Sequence, residues 1–293
     1  MVVTGRVLYG PAARPLANAW VVLHGVSSGG GRPIDSTRTD ARGAYRLTIR
    51  HPDTSAIYVV SSWRAGIAYF SEPIPRSGGP RASLNPLYVY DTSSTGPAVR
   101  LARRVVTVTK TKRDGTRDVL ELLELENPGT ATRVAADTLR ATWAGAIPPT
   151  AIQFQVGRGD VSPDAVARRG DSVSVYGPLP PRERKQLSYT YVLPATVRRV
   201  DLPIDQPTDE VDLLLEDTAA VVTTQGLDSL GIEDVEGRRF ARYRSAPVAA
   251  GAPLAIVFPE RRLAPEALVP WVVALAGLAL GIGFVVALRR QPR

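Results

Sequence analysis

Few residues in this chain could carry chemistry. Its 293 residues include no cysteine and two histidines, His24 and His51. The missing thiols exclude disulfides, thiolate catalysis, iron–sulfur clusters and cysteine-held zinc. His24 closes an apolar run and His51 precedes Pro52. Neither has a second imidazole at the helical spacing that grips a metal, so both read as structural. Gly29-Gly30-Gly31 lacks the Lys-Ser/Thr that completes a phosphate-binding loop, and the chain has no Gly-x-Ser-x-Gly elbow and no His-Glu-x-x-His. Two acidic groups remain. Asp201, Asp205, Asp209, Glu210, Asp212, Glu216 and Asp217 offer the hard oxygens that calcium takes. Their spacing matches no EF-hand loop and Pro203 and Pro207 interrupt it, so a solvated linker is the plainer reading. Of Glu121, Glu124 and Glu126, the last two share a strand face, with nothing to indicate a cleft around them. The expectation is a protein with no catalytic residue, no cofactor and no metal, and not an enzyme.

The elements that would position such groups are strands. Twenty-five glycines and 25 prolines suit turns and resist long soluble helices. The net charge of +8 is uneven: residues 1–100 and 101–200 are each +6, residues 201–266 are −7, and the last 27 add +3. Arginine outnumbers lysine 33 to 3, scattered as singles and pairs mostly between apolar strand positions. That pattern reads as solvated faces and argues against nucleic acid as a partner. A basic body beside an acidic segment can also dock on oppositely charged neighbours, because the guanidinium fork binds carboxylates bidentately.

The strongest single signal is at the C-terminus. Residues 267–288 hold 22 positions without a charge, and about 20 apolar residues suffice for a helix to cross the hydrocarbon core. Pro270 falls in the first turn, where its missing N–H costs nothing. Trp271 sits at headgroup level, and Arg289, Arg290 and Arg293 follow directly. Gly277 with Gly281, and Ala279 with Gly283, form small-x-x-x-small pairs that let another helix approach closely. The basic tail favours a cytoplasmic C-terminus with the bulk of the chain in the periplasm, although Arg261 and Arg262 stand on the other flank. Met1-Val-Val-Thr-Gly-Arg has neither a basic n-region nor an apolar h-region, which leaves open a processed start or a tail anchor with its bulk in the cytoplasm.

The N-terminal third alternates as strands do: Gly5–Tyr9, then Ala19–Leu23, each reading as half-buried. Thr39-Asp40-Ala41-Arg42-Gly43 is a tight turn between two strands, with Asp40 bonding forward and Gly43 free to take positive φ. Tyr45, Leu47 and Ile49 then share a face. These residues resemble a known family. The Gly-x-Val start, Arg14-Pro15-Leu16-Ala17-Asn18-Ala19 leading into Val21-Val22-Leu23, and Thr39-Asp40 followed by Gly43-Ala44-Tyr45-Arg46-Leu47 are similar to the carboxypeptidase regulatory-like domain. The resemblance covers roughly residues 2–98. It implies a small β-sandwich of transthyretin-like type and a non-catalytic accessory module. No peptidase activity comes with it.

Further strands are predicted at Val105–Thr111 and Val119–Leu125, joined across Asp114-Gly115, and at Leu139–Trp143, Ile152–Val156, Ser172–Tyr176, Leu187–Leu193 and Val197–Leu202. The pattern continues through Val211–Leu215, Ala220–Thr224, Arg238–Arg242 and Leu254–Phe258. The expected fold class is mainly β: tandem immunoglobulin-like and transthyretin-like sandwiches plus one C-terminal transmembrane helix. The expected domains are 1–98, a second sandwich at 99–203, a small β region with an acidic stalk at 204–265, and the anchor with its basic tail at 266–293. Residues 204–265 form either a small third sandwich or part of the second one's sheets. Trp20, Trp63 and Trp143 read as core or rim aromatics. The functional expectation is a non-catalytic scaffold on the bacterial inner membrane, an accessory subunit bracing a larger complex of the respiratory or photosynthetic kind. Its partners would be integral membrane subunits, reached through the helix and the sandwich surfaces, and the lipid bilayer. The alternative is a carbohydrate- or peptide-binding module, for which exposed tryptophans are the discriminating feature.

Overall fold

A computed structural model describes residues 1–259, apart from 28, 29, 54, 75–78, 225, 246 and 252. Over these residues the chain is mainly β, with a single 3₁₀ turn at Pro163–Ala165. Among the described residues no helix is long and apolar enough to cross a membrane. The expected span and all its assigned positions (Trp271, Gly277, Ala279, Gly281, Gly283, Arg289, Arg290 and Arg293) lie outside the described residues.

The N-terminal part contains β1 (Val2–Tyr9), β2 (Arg14–Pro15), β3 (Trp20–Ser27), β4 (Gly30–Arg38), β5 (Ala44–Thr48), β6 (Ile57–Arg64), β7 (Ile67–Phe70), β8 (Arg81–Ser83) and β9 (Leu87–Val89). They form two sheets. In one, β1 is central, antiparallel to β2 and β5 and parallel to β8 and β9. The other has the order β4-β3-β6-β7. One apolar cluster joins Val3, Val7, Tyr45 and Leu47 of the first sheet to Val21, Leu23, Tyr58, Val60 and Tyr69 of the second, so the sheets pack face to face.

The turn residues explain how the chain passes between these sheets. Thr39, buried, donates to the Leu16 carbonyl (2.6 Å) and accepts from the Ala19 N–H (2.8 Å), pinning the approach to β3. The Asp40 carboxylate accepts from the N–H groups of Arg42 and Ala44, both at 2.8 Å. Gly43 has φ +72°, and a Cβ there would lie 2.5 Å from the Val7 carbonyl oxygen. The turn is thus a corner rather than a hairpin: β4 pairs with β3 and β5 with β1. Gly5, directly opposite Tyr45, is required for a different reason. The phenol lies across it, and a Cβ at position 5 would meet the ring at 2.6 Å and its oxygen at 2.4 Å.

The remainder contains β10 (Thr92–Ser93), β11 (Arg100–Val108), β12 (Arg117–Glu126), β13 (Thr132–Arg133), β14 (Trp143–Ala146), β15 (Ile152–Val156), β16 (Val166–Arg169), β17 (Ser172–Val175), β18 (Arg184–Leu193), β19 (Arg199–Leu202), β20 (Thr208–Leu215), β21 (Val221–Val222), β22 (Leu227–Val235), β23 (Arg238–Ser245) and β24 (Leu254–Val257). A seven-stranded sheet has the order β15-β18-β12-β11-β20-β23-β22, antiparallel except for the β11/β20 pair. Two three-stranded sheets, β14-β17-β16 and β19-β24-β21, share one apolar core with it. Residues 204–259 therefore do not stand apart as a stalk, since β20, β23 and β22 continue the sheet begun at residue 100. The reason is pairing energetics: β20 alternates Val211, Leu213 and Leu215 inward, and alone it would leave that face in water. The stretch 139–142, expected to begin a strand, is irregular, and the strand starts at Trp143. The two parts meet where β10 pairs with β13 and where the Tyr69 hydroxyl bonds the Tyr90 carbonyl (3.0 Å) and the Thr132 hydroxyl (2.7 Å).

Candidate functional site

The residues that stand out lie on the outer face of β3, β6 and β7. On β3, Val21 and Leu23 point into the core, which turns Trp20, Val22, His24 and Val26 outward. On β6, Tyr58, Val60 and Ser62 point inward, and Ile57, Val59, Ser61 and Trp63 outward. Register places Val22 opposite Ser61 and Val26 opposite Ile57; β7 adds Phe70 opposite Ser61 and Ala68 opposite Trp63. The outcome is an aromatic and aliphatic surface that no described residue covers. Trp20 is 46% exposed, Trp63 56%, Phe70 57% and Ile57 46%. Of the tryptophans read as core or rim aromatics, Trp20 and Trp63 are exposed and Trp143 is buried, its indole N–H donating to the Gln206 side chain at 2.8 Å.

The polar groups on this face are few and mostly engaged. His24 Nε2 lies 2.7 Å from the Ser61 hydroxyl, and its ring is 6.2 Å from that of Phe70. Arg38, opposite Trp20 on β4, stacks over the indole at 5.2 Å and donates to the Asn18 carbonyl at 2.9 Å. Asp35, the one acid on these four strands, is opposite Leu23 on the other side and accepts from the Thr48 N–H of the facing sheet at 2.7 Å. The surface is therefore uncharged apart from its Arg38 edge. A signal for it was present in the sequence: Ala19–Leu23 and Ile57–Val60 are apolar at both parities, the pattern of strands covered on both faces. β3 is nonetheless half-buried, as its alternation predicts: Val21 and Leu23 are covered while Trp20 and Val26 are exposed.

The carboxylates have structural roles. Glu121 is fully buried and accepts from Arg104 Nε (2.8 Å) and a terminal guanidinium nitrogen (3.1 Å), from Tyr189 (3.1 Å) and from Tyr191 (2.9 Å). Arg104 also donates to the Pro203 carbonyl at 2.6 Å. Burial opposes the guanidinium charge, but Glu121 outweighs it and holds the arginine above its ordinary range; burial, reinforced by Glu121, pushes both phenols well up. With both carboxylate oxygens occupied, this cluster ties β11, β12 and β18 to the chain before β20. Glu124 and Glu126 face the opposite way, each 3.3 Å from Arg184.

The acidic run is neither a solvated linker nor a cation site. Asp201 pairs with Arg199 (2.9 Å), Asp209 with Arg100 (2.6 Å) and Glu210 with Arg103 (3.2 Å). Asp212, buried, receives Arg103 (2.5 Å), Arg242 (3.2 Å) and Arg244 (2.9 Å). Its burial works against ionisation, yet the hydrogen bonds from Arg244, Arg103 and Arg242 hold it far below the usual carboxylate range. Glu216 pairs with Arg238 (2.5 Å), Asp217 lies 3.8 Å from Arg117, and Asp205 accepts from the Ala146 N–H at 2.9 Å. Among the described residues no group of His, Cys, Asp or Glu could hold a metal ion. His51 is exposed in a bend and shares no site with His24.

No protein-family model matches the chain, and no curated protein matches it. Among solved structures it is similar to an M1 zinc metallopeptidase from Deinococcus radiodurans, at 15% identity and TM-score 0.36, over 59% of this chain and 45% of that one, so the likeness spans under half of the peptidase. A putative nutrient binding protein from Legionella pneumophila aligns at 8% identity and TM-score 0.33 over 57% of this chain and 70% of its own. The major pilin SpaD of Corynebacterium diphtheriae aligns at 8% and TM-score 0.24 over 86% and 83%. Similarity this low assigns neither an activity nor a partner, and leaves the chain described by its own geometry as a mainly β protein of packed sheets.

Proposed function

We propose that this chain is a non-catalytic interaction protein. It would be held at the bacterial inner membrane by residues 267–288, with its sandwiches in the periplasm and the tail cytoplasmic. There it would act as an accessory subunit bracing a larger membrane complex. Within this reading the N-terminal sandwich is a carboxypeptidase regulatory-like module of transthyretin type, followed by an immunoglobulin-like sandwich. The observation that carries it is the pair of strands β3 and β6, apolar on both faces while only one face is covered. Exposed apolar patches of this kind mark interaction sites, and an uncharged one fits a partner surface that needs no ion pairing. The Gly277/Gly281 and Ala279/Gly283 spacing supplies a second contact, helix against helix.

The test is mild detergent extraction of native membranes, size separation and mass spectrometry. A defined set of membrane subunits should co-migrate with the wild-type chain and be lost with Trp63→Glu and Phe70→Glu. A lone 31.5 kDa species, stable across mild detergents, would refute the reading. A second reading, a carbohydrate-binding module, draws on exposed Trp20 and Trp63 as a stacking platform; Arg38 already covers one face of Trp20. Saturable oligosaccharide binding abolished by Trp63→Ala, without co-migrating subunits, would favour that alternative.

A further inference from the structure

The opposite side of the N-terminal sandwich has a different chemistry. On β1, Val3 and Val7 point into the core, which turns Val2, Thr4, Arg6 and Leu8 outward. Arg46 on β5 is directly opposite Thr4, and Arg81 on β8 is opposite Val2. Three arginines from three adjacent strands thus share one exposed face, with Thr4, Thr48 and Ser83 between them. Sheet geometry puts Arg6 and Arg46 roughly 8 Å apart and Arg81 within about 12 Å of Arg46. Among the described residues none of the three has an ion-pair partner, whereas the arginines of the seven-stranded sheet are paired repeatedly. Asp35 and Asp40 are engaged with the backbone: Asp35 accepts from the Ser36 and Thr48 N–H groups, and Asp40 from those of Arg42 and Ala44.

We infer that the outer face of β8-β1-β5 binds the anionic headgroups of a lipid bilayer. This rests on the membrane placement given under Proposed function and adds a second surface to it. Like charges at these separations repel, and a layer of phosphates offsets that repulsion while matching the guanidinium fork. A single sheet face presents all three guanidinium groups to the same side, toward an array of anions. No aromatic stands between the arginines to stack on a base; Tyr88, at the β9 margin, is covered by Arg182 at 4.8 Å. The expected anchor in the same chain would confine the sandwich near a bilayer, so a contact too weak to recruit a free domain is still populated. Because the basic and aromatic faces lie on opposite sheets, headgroups and a protein partner can be bound together.

The absence of cysteine makes the test clean. Full-length chain carrying Ser83→Cys, labelled with a fluorophore, is placed in nanodiscs of phosphatidylcholine alone or with about 30% phosphatidylglycerol, with a quencher on the headgroups. Quenching at position 83 should be several-fold stronger in the anionic discs, fall with salt, and vanish in Arg6→Gln/Arg46→Gln/Arg81→Gln. A label at Ser36→Cys, on the other sheet, should stay bright. Each basic side chain at an anionic surface is worth about fivefold, so the triple change should shift the bound-to-free ratio about 100-fold. Equal quenching in both lipids, none in either, or indifference to the triple change overturns the inference. A chain that does not float with discs at all removes the membrane reading along with it, whereas an inserted chain with no signal at position 83 removes this inference alone.

Discussion

The outer face of β3 and β6 and the outer face of the seven-stranded sheet are built in opposite ways. The first exposes Trp20, Trp63, Phe70 and Ile57 with a single charge at its edge. The second carries a belt of cross-strand ion pairs running from Arg184 with Glu124 and Glu126, through Arg103 with Glu210 and Asp212, to Arg242 with Glu233. Their interiors contrast as well. The N-terminal core is apolar around a buried Tyr45, whereas the second core contains the Arg104–Glu121 pair. A sheet face that pairs its charges across strands has satisfied much of its own surface, although Leu120, Ile152, Leu230 and Ile232 of the same sheet are exposed. A sheet whose outer face is apolar and bare has its free energy still to gain, by burying that face against something else.

Four measurements would break or sharpen this contrast. The largest expected effect is at the second core. Glu121→Leu leaves the buried Arg104 guanidinium without its counter-ion and two phenols without an acceptor, which should cost about 3–5 kcal/mol in denaturant unfolding, while adding Arg104→Leu should restore most of it. A single-variant loss below about 1 kcal/mol would show that the pair is not the buried tie it looks like. Next comes Gly5→Ala in the first core, where the new methyl meets Tyr45; overpacking of this kind costs about 1–3 kcal/mol.

A third, graded effect separates the sheets by pH. Hydrogen bonds from Arg238 outweigh burial and bring Glu216 down from 4.5 to about 2. Its folded-state pKa is depressed, so its contribution is fully present above pH 4.5 and is lost as pH falls toward about 2, with Asp212 acting in the same sense. Fluorescence of Trp143 in the second core should therefore report loosening across that window, and no response there would contradict the assigned pairs. The smallest effect on stability belongs to the aromatic face. Trp63→Ser should stay within about 0.5 kcal/mol of wild type, while weakening capture of the partner more than any change to the charged belt. A large loss of stability would mean that Trp63 packs within the fold instead of awaiting a partner.

Much of the fold was legible in residues close in sequence. Asp114-Gly115 joins β11 to β12 as a hairpin, with Lys112 N–H bonded to the Thr116 carbonyl. Thr39, Asp40 and Gly43 make the turn that their types imply, because each acts on backbone groups a few residues away. The corner it forms between two sheets was not legible, since turn chemistry does not say which strand the next one will pair with. β22 was missed for a related reason: Leu227–Val235 is exposed almost throughout and lacks the alternation that a half-covered strand shows. The candidate surface was half legible. Its tryptophans were recognised, but their side of the sheet depends on the register of β3 against β6, set by residues about 40 positions apart.

By itself the sequence determined the fold class of the protein: abundant turn residues and strand-length apolar runs leave a β-rich chain. Those properties are compositional or local, and survive any arrangement of the strands. Only the tertiary structure decided which acids meet which arginines, and that the run from 201 to 217 feeds two sheets, through β19 and β20. Arg103 and Asp212 are 109 residues apart and become neighbours only because β11 pairs in parallel with β20. The tertiary structure likewise decided that one sheet face would remain apolar and bare. Burial is a property of what packs against a residue, and the sequence lists the residue without its neighbours.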